Sequence, residues 1–215
     1  MPAGITRATA GTNAGADTNA GGGSAAGARP VALIGPMAVG KSAIGQQLAQ
    51  QLGAAFVDTD AVIVDNHGTI AEIFARRGET VFRELEARAV ARAIEEAQGS
   101  NTVISLGGGA VLDSGTQQLL DLCTVVYLEC DSDTVAERIA RNSGRPLLAG
   151  DAMERWKALF ATRRPVYERL ADLVFDVRSG SVPELVRRLQ DALGELTAGK
   201  RAAAPMTAAT KEVEK

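Results

Sequence analysis

A three-layer α/β/α fold around a parallel sheet is predicted by two features of this chain. Short apolar runs alternate with longer amphipathic segments, and the first run leads directly into GPMAVGKS, Gly35 to Ser42. The predicted strands are Val31 to Ile34, Ala55 to Asp58, Thr102 to Ser105, Val125 to Glu129 and Leu173 to Val177. Helical periodicity marks Ser42 to Leu52, Glu79 to Ala97, Asp131 to Arg141 and Ala152 to Leu170, with a shorter segment over Ala61 to His67. In a parallel sheet, ligands gather beyond the carboxyl ends of the strands. Three segments fall there: the loop after the first strand, Asp58 to Asp60 after the second, and Gly107 to Gly109 after the third.

The first of these carries the most specific chemistry. Gly35 to Ser42 fits G-x-x-x-x-G-K-[ST], in which backbone N–H groups and a helix N-terminus cradle phosphates. A nucleoside triphosphate is therefore the expected ligand, with Lys41 reaching the β and γ phosphates and the Ser42 hydroxyl on Mg²⁺. Asp58 and Asp60 stand one residue apart at a strand end, so one suits a metal and the other a substrate. Asp-Thr-Asp equally suits an N-cap for the following helix. Three consecutive glycines permit positive φ and close approach of a small ligand to main-chain amides, although a strand-to-helix turn would also use them. Arg83, Arg138, Arg145, Arg163 and Arg164 are the cations whose forked guanidinium suits carboxylate or phosphate. Arg145 differs from the rest by lying in Asn142 to Gly150, a Gly- and Pro-containing segment between two helices with the character of a lid.

Composition bounds the remaining choices. At 215 residues and 46% hydrophobic content the chain suits one domain with an ordinary core, spanning 30–193. Residues 1–29 are almost all small and polar, and 194–215 are Ala-rich and polar, so both are expected to be disordered tails. The N-terminus lacks a basic region followed by an apolar one, and no apolar run is long enough to span a bilayer, which predicts a cytoplasmic protein. A net charge of −3 argues against a general nucleic-acid binder. Cys123 and Cys130 fit no zinc or redox spacing and read as buried thiols. His67, the single histidine, precedes Gly68 at a predicted helix end and reads as a surface residue.

Read together, GPMAVGKSAIG, FVDTD, VFRELE, SLGGGAV, RPLL and RRPVY resemble, in order and separation, the shikimate kinase family. The resemblance covers about Pro30 to Leu193 and implies a five-stranded parallel sheet ordered 2-3-1-4-5. It also implies ATP-dependent phosphorylation of the shikimate 3-hydroxyl with Mg²⁺; a monomer without nucleic-acid or membrane partners is expected. Carried onto matching positions, it assigns the phosphates to Gly35, Pro36, Met37, Ala38, Val39, Gly40, Lys41, Ser42 and Ala43, and the metal to Ser42 and Asp58. Asp60 would meet the shikimate hydroxyls, Arg83 and Arg163 the carboxylate, and the Gly107, Gly108 and Gly109 turn a ring hydroxyl. Arg145 would neutralise the transferring phosphoryl group, and Arg138 with the loop Arg178 to Pro183 would border adenine. Two positions depart from the pattern, Ala38 for glycine and Ala43 for threonine; Ala38 is expected to keep a negative φ. A gluconate kinase or a non-catalytic nucleotide-dependent regulator are the competing readings, disfavoured by the two carboxylate-binding arginines.

Overall fold

A computed structural model describes residues 29–143 and 151–203. Five strands, β1 (Val31–Ile34), β2 (Ala55–Asp58), β3 (Thr102–Ser105), β4 (Thr124–Glu129) and β5 (Leu173–Asp176), form one parallel sheet ordered β2-β3-β1-β4-β5. Strand order and direction agree with the expectation. The helices are α1 (Lys41–Leu52), α2 (Thr59–His67), α3 (Ile70–Ala97), α4 (Ser114–Leu120), α5 (Ser132–Ser143), α6 (Asp151–Leu170) and α7 (Val182–Ala203).

Strand alternation divides the core in two, because successive side chains leave opposite faces. Leu33, Val103, Val126 and Leu128 pack with Ile44 and Leu48 of α1 and with Leu185 and Leu189 of α7. Ala32, Ile34, Ile104, Val125 and Tyr127 pack on the other side with Val90 and Ile94 of α3 and Leu120 of α4. Cys123 and Cys130 are buried free thiols, and burial pushes them up to about 11 and about 12, so both stay protonated at neutral pH. Among the described residues, no helix is long and apolar enough to cross a membrane.

Register decides where the site forms. Asp58 pairs with Ser105, Leu33 with Ser105 and Ile34 with Tyr127, so β1, β2 and β3 end at one level. Three departures from the sequence reading concern helices. α3 begins at Ile70 rather than Glu79, started by a capping box in which Thr69 and Glu72 bond reciprocally, and it breaks at Gly78, φ 82° and ψ 170°. α7 runs to Ala203, so the expected boundary at 193 falls inside a helix: Leu193 still packs on the core, and Ala, Leu and Glu carry the helix on. Val182 and Pro183, at the end of the segment Arg178 to Pro183, belong to the first turn of α7, a position where proline lacks nothing it needs. His67 is exposed at the end of α2, as expected.

Candidate active site

The loop from Gly35 to Gly40 joins β1 to α1, and its carbonyls are held by donors from several directions. Lys41 Nζ donates to the carbonyls of Gly35 (2.9 Å) and Pro36 (2.8 Å). Trp156 Nε1 of α6 donates to Met37 O at 3.2 Å, Arg138 of α5 donates to Val39 O, and Ile44 N donates to Gly40 O at 2.9 Å. Gly35 and Gly40 take φ of 140° and 98°. A Cβ on Gly35 would lie 2.9 Å from Leu128 O, so no side chain fits there. Ala38 overturns the expectation of a negative φ: it stands at φ 64° in the left-handed region, which costs an L-residue about 1 kcal/mol.

Lys41 is 9% exposed, and burial brings its ammonium down to about 8, against the opposing pull of Asp60 and Asp58. Ser42 Oγ donates to Asp58 Oδ2 at 2.5 Å. The other carboxylate oxygen of Asp58 accepts Asp60 N at 3.0 Å and Ala61 N at 3.2 Å, so Asp58 is also the N-cap of α2. The N-cap reading of Asp-Thr-Asp therefore holds, and the same carboxylate also meets the phosphate loop through Ser42. Asp60 sits in the same cleft with its carboxyl above the usual range, first because of burial and then because Asp58 is near. Among the described residues there is no cluster of three His, Cys, Asp or Glu side chains that could hold a metal. A hydroxyl and a carboxylate at this spacing nevertheless fit Mg²⁺, which takes one or two protein oxygens and completes its shell with phosphate and water.

Opposite the phosphate loop, the glycine turn is tight for a reason the sequence reading did not find. None of Gly107, Gly108 and Gly109 adopts the left-handed region. At two of them a Cβ would collide: at Gly107 it would lie 2.5 Å from Glu86 Oε1 and 2.6 Å from Asp60 Oδ1, and at Gly109 2.2 Å from an Arg83 nitrogen. Thr59 Oγ1 accepts Gly107 N at 3.1 Å and donates to Ser105 O at 3.3 Å, and Tyr167 OH donates to Gly108 O. The turn thus closes directly on the charged side chains of the site. Arg83 donates to Glu86 Oε2 at 2.7 Å and to Glu79 Oε1 at 3.1 Å. Glu86 is 2% exposed, and burial raises its carboxyl against the pull of Arg83. Arg163 of α6 is 7% exposed, and its Nε has no hydrogen-bond partner among the described residues. A buried cation with an unused donor is the chemistry that an incoming anion satisfies.

The cleft between these walls has a volume of about 530 Å³ and is lined by Met37, Lys41, Ser42, Asp58, Asp60 and Gly108 among others. Of the adjacent arginines, the structure separates Arg163, which is buried, from Arg164, which is half-exposed and bonds Glu168 and Glu129. Arg138 reaches Val177 O as well as Val39 O, bridging the phosphate loop to the end of β5. Arg145 lies outside the described residues. Three residues of the site carry no role of their own in the sequence, Glu86, Thr59 and Tyr167, and Trp156 reads there only as packing for the helix after the lid. Only Glu86 left a signal there, standing one helical turn after Arg83 within VFRELE.

A family model described as shikimate kinase matches residues 37–194. The shikimate kinase of Streptomyces coelicolor is 45% identical over 157 residues, covering 73% of this chain and 90% of that protein. In three dimensions, the shikimate kinase of Acinetobacter baumannii solved with shikimate superposes with a TM-score of 0.70 at 28% identity, over 79% of this chain and 95% of the other. A gluconokinase from Sinorhizobium meliloti, at 18% identity and a TM-score of 0.62, shares the fold. A phosphate loop joined to an Asp-Thr-Asp strand end and a glycine turn closing on an arginine–glutamate pair, matched over most of the chain by family and relatives alike, makes this chain a member of the shikimate kinase family.

Proposed function

We propose that this cleft moves the γ-phosphoryl group of ATP to the 3-hydroxyl of shikimate, with Mg²⁺ held by Ser42 and, through water, by Asp58. The chain is a shikimate kinase, an ATP-using enzyme of the shikimate pathway. The observation that carries the residue assignment is the 2.5 Å bond from Ser42 to Asp58, which ties the phosphate loop to the strand end leading into Asp60. When bound, Mg²⁺ would neutralise charge on the β and γ oxygens and align the two reactants.

The chain's own groups do the rest. Lys41 would exchange the Gly35 and Pro36 carbonyls for the β and γ phosphates, while the amides of the loop through Ala43 hold the phosphate chain. Arg138 would flank adenine. Arg83 and Arg163 would grip the carboxylate, with Glu79 and Glu86 holding the Arg83 fork in place. The Gly107 to Gly109 turn would fix a ring hydroxyl. Asp60, kept by burial above the ordinary carboxylate range, would orient the attacking hydroxyl and accept its proton late, as a loose phosphoryl-transfer transition state allows. Arg145 would add positive charge at the equatorial oxygens. The enzyme acts as a cytoplasmic monomer in this reading.

A coupled assay on the full chain with ATP and Mg²⁺ tests the proposal against shikimate, gluconate and nucleoside monophosphates. Only shikimate is expected to turn over, with phosphorus NMR placing the phosphate on O3. Turnover of gluconate with shikimate untouched would overturn it. Arg145→Ala is expected to lower kcat by about 10³-fold while moving the shikimate KM much less. Near-normal single-turnover rates for that variant would remove Arg145 from the reaction.

A further inference from the structure

Ala38 is the one described non-glycine residue with positive φ, and it sits where the loop must approach phosphates. The peptide units on either side of the Ala38–Val39 segment are both pinned by side chains from outside the loop. Trp156 Nε1 holds the carbonyl of the Met37–Ala38 peptide, and Arg138 holds that of the Val39–Gly40 peptide. Because a trans peptide is planar, a fixed carbonyl sets its N–H on the opposite side. We infer that Trp156 is a positioning residue for ATP: its indole N–H holds the Met37–Ala38 peptide against the tendency of an alanine to leave the left-handed region.

The physical reason is specific to this loop. A glycine at 38 would take φ 64° without penalty and need no tether, whereas an alanine released from its tether gains by rotating to negative φ. Such a rotation would turn the Ala38 amide away from the phosphate site. Trp156 is well placed to prevent it: it is 5% exposed, its ring stacks on Phe160 at 4.9 Å, and with Pro36, Met37 and Arg163 it lines one small space beside the loop. The inference rests on the phosphate loop binding ATP, and Arg83 and Arg163 both remain in the variants, so shikimate should still be the substrate when the tether is gone.

The experiment is a double-mutant cycle on the full chain between W156F and A38G. With alanine at 38, W156F is expected to raise the ATP KM and weaken MgADP binding about 5-fold, the worth of one hydrogen bond. Combined with A38G, the same substitution should cost less than about 2-fold. An equal loss in both backgrounds, or a loss confined to kcat, shikimate KM or thermal midpoint, would make Trp156 a packing residue and overturn the inference. If W156F does not fold, W156H, which keeps a ring N–H on a smaller ring, is read in the same two backgrounds. Its loss must again shrink with A38G for the inference to stand.

Discussion

Lys41 illustrates how burial sets the behaviour of a single group. Its ammonium, held near 8 against 10.5 in the unfolded chain, costs the folded protein whatever charge it carries below pH 8. Between pH 8 and 10.5 the unfolded chain binds more protons, so this residue makes stability rise with pH across that window. Catalysis should move the other way. kcat/KM for ATP is expected to fall above about pH 8 as the free enzyme loses the Lys41 proton, while kcat, read with phosphates bound beside the amine, should fall only at higher pH. Lys41→Arg should carry its descending limb well above pH 8, since guanidinium does not titrate there. A limb unchanged in that variant would assign it to another group. Lys41, Ser42, Asp58 and Asp60 were all legible in the sequence because their chemistry depends on residue type and chain neighbours. The left-handed Ala38 was not, and the donors that hold the carbonyls on either side of it come from α5 and α6, far along the chain.

Between elements, the decisive contact is the glycine turn against α3. A methyl group at 109 would stand 2.2 Å from an Arg83 nitrogen, so Gly109→Ala must push the guanidinium or shift the backbone. Gly109→Ala is expected to raise the shikimate KM at least 10-fold and leave the ATP KM within about 2-fold, as measured by steady-state kinetics with each substrate varied. Arg83→Ala and Arg163→Ala should each weaken transition-state binding of shikimate by roughly 2 to 5 kcal/mol, the range for truncating one partner of a hydrogen-bonded charge pair. Equal losses for both substrates would place these arginines elsewhere in the reaction. The three glycines were visible in the sequence as a ligand turn, but the reason for them was not. Positive φ can be anticipated from glycine itself, whereas a missing Cβ can be explained only by the Glu86, Asp60 and Arg83 side chains that occupy its place.

At the scale of the whole molecule, the two core layers and the strand order account for the fold between Pro30 and Leu193. Residues 2–28 contain hardly any large apolar groups, so deleting them is expected to leave the thermal midpoint and kcat/KM unchanged. A drop of several degrees in a calorimetric scan would show that this segment packs on the domain. By itself the sequence determined the sheet's strands almost to the residue, the phosphate loop, the acidic strand end and the family. These depend on local periodicity and on motifs whose chemistry requires fixed spacing. Only the tertiary structure decided that Arg163 is buried while Arg164 is half-exposed, how far α7 extends, that Glu86 anchors Arg83, and that Trp156 holds the phosphate loop. Each of those is a contact between segments far apart in the chain or a consequence of packing on one, and periodicity within a segment carries no record of what lies across from it.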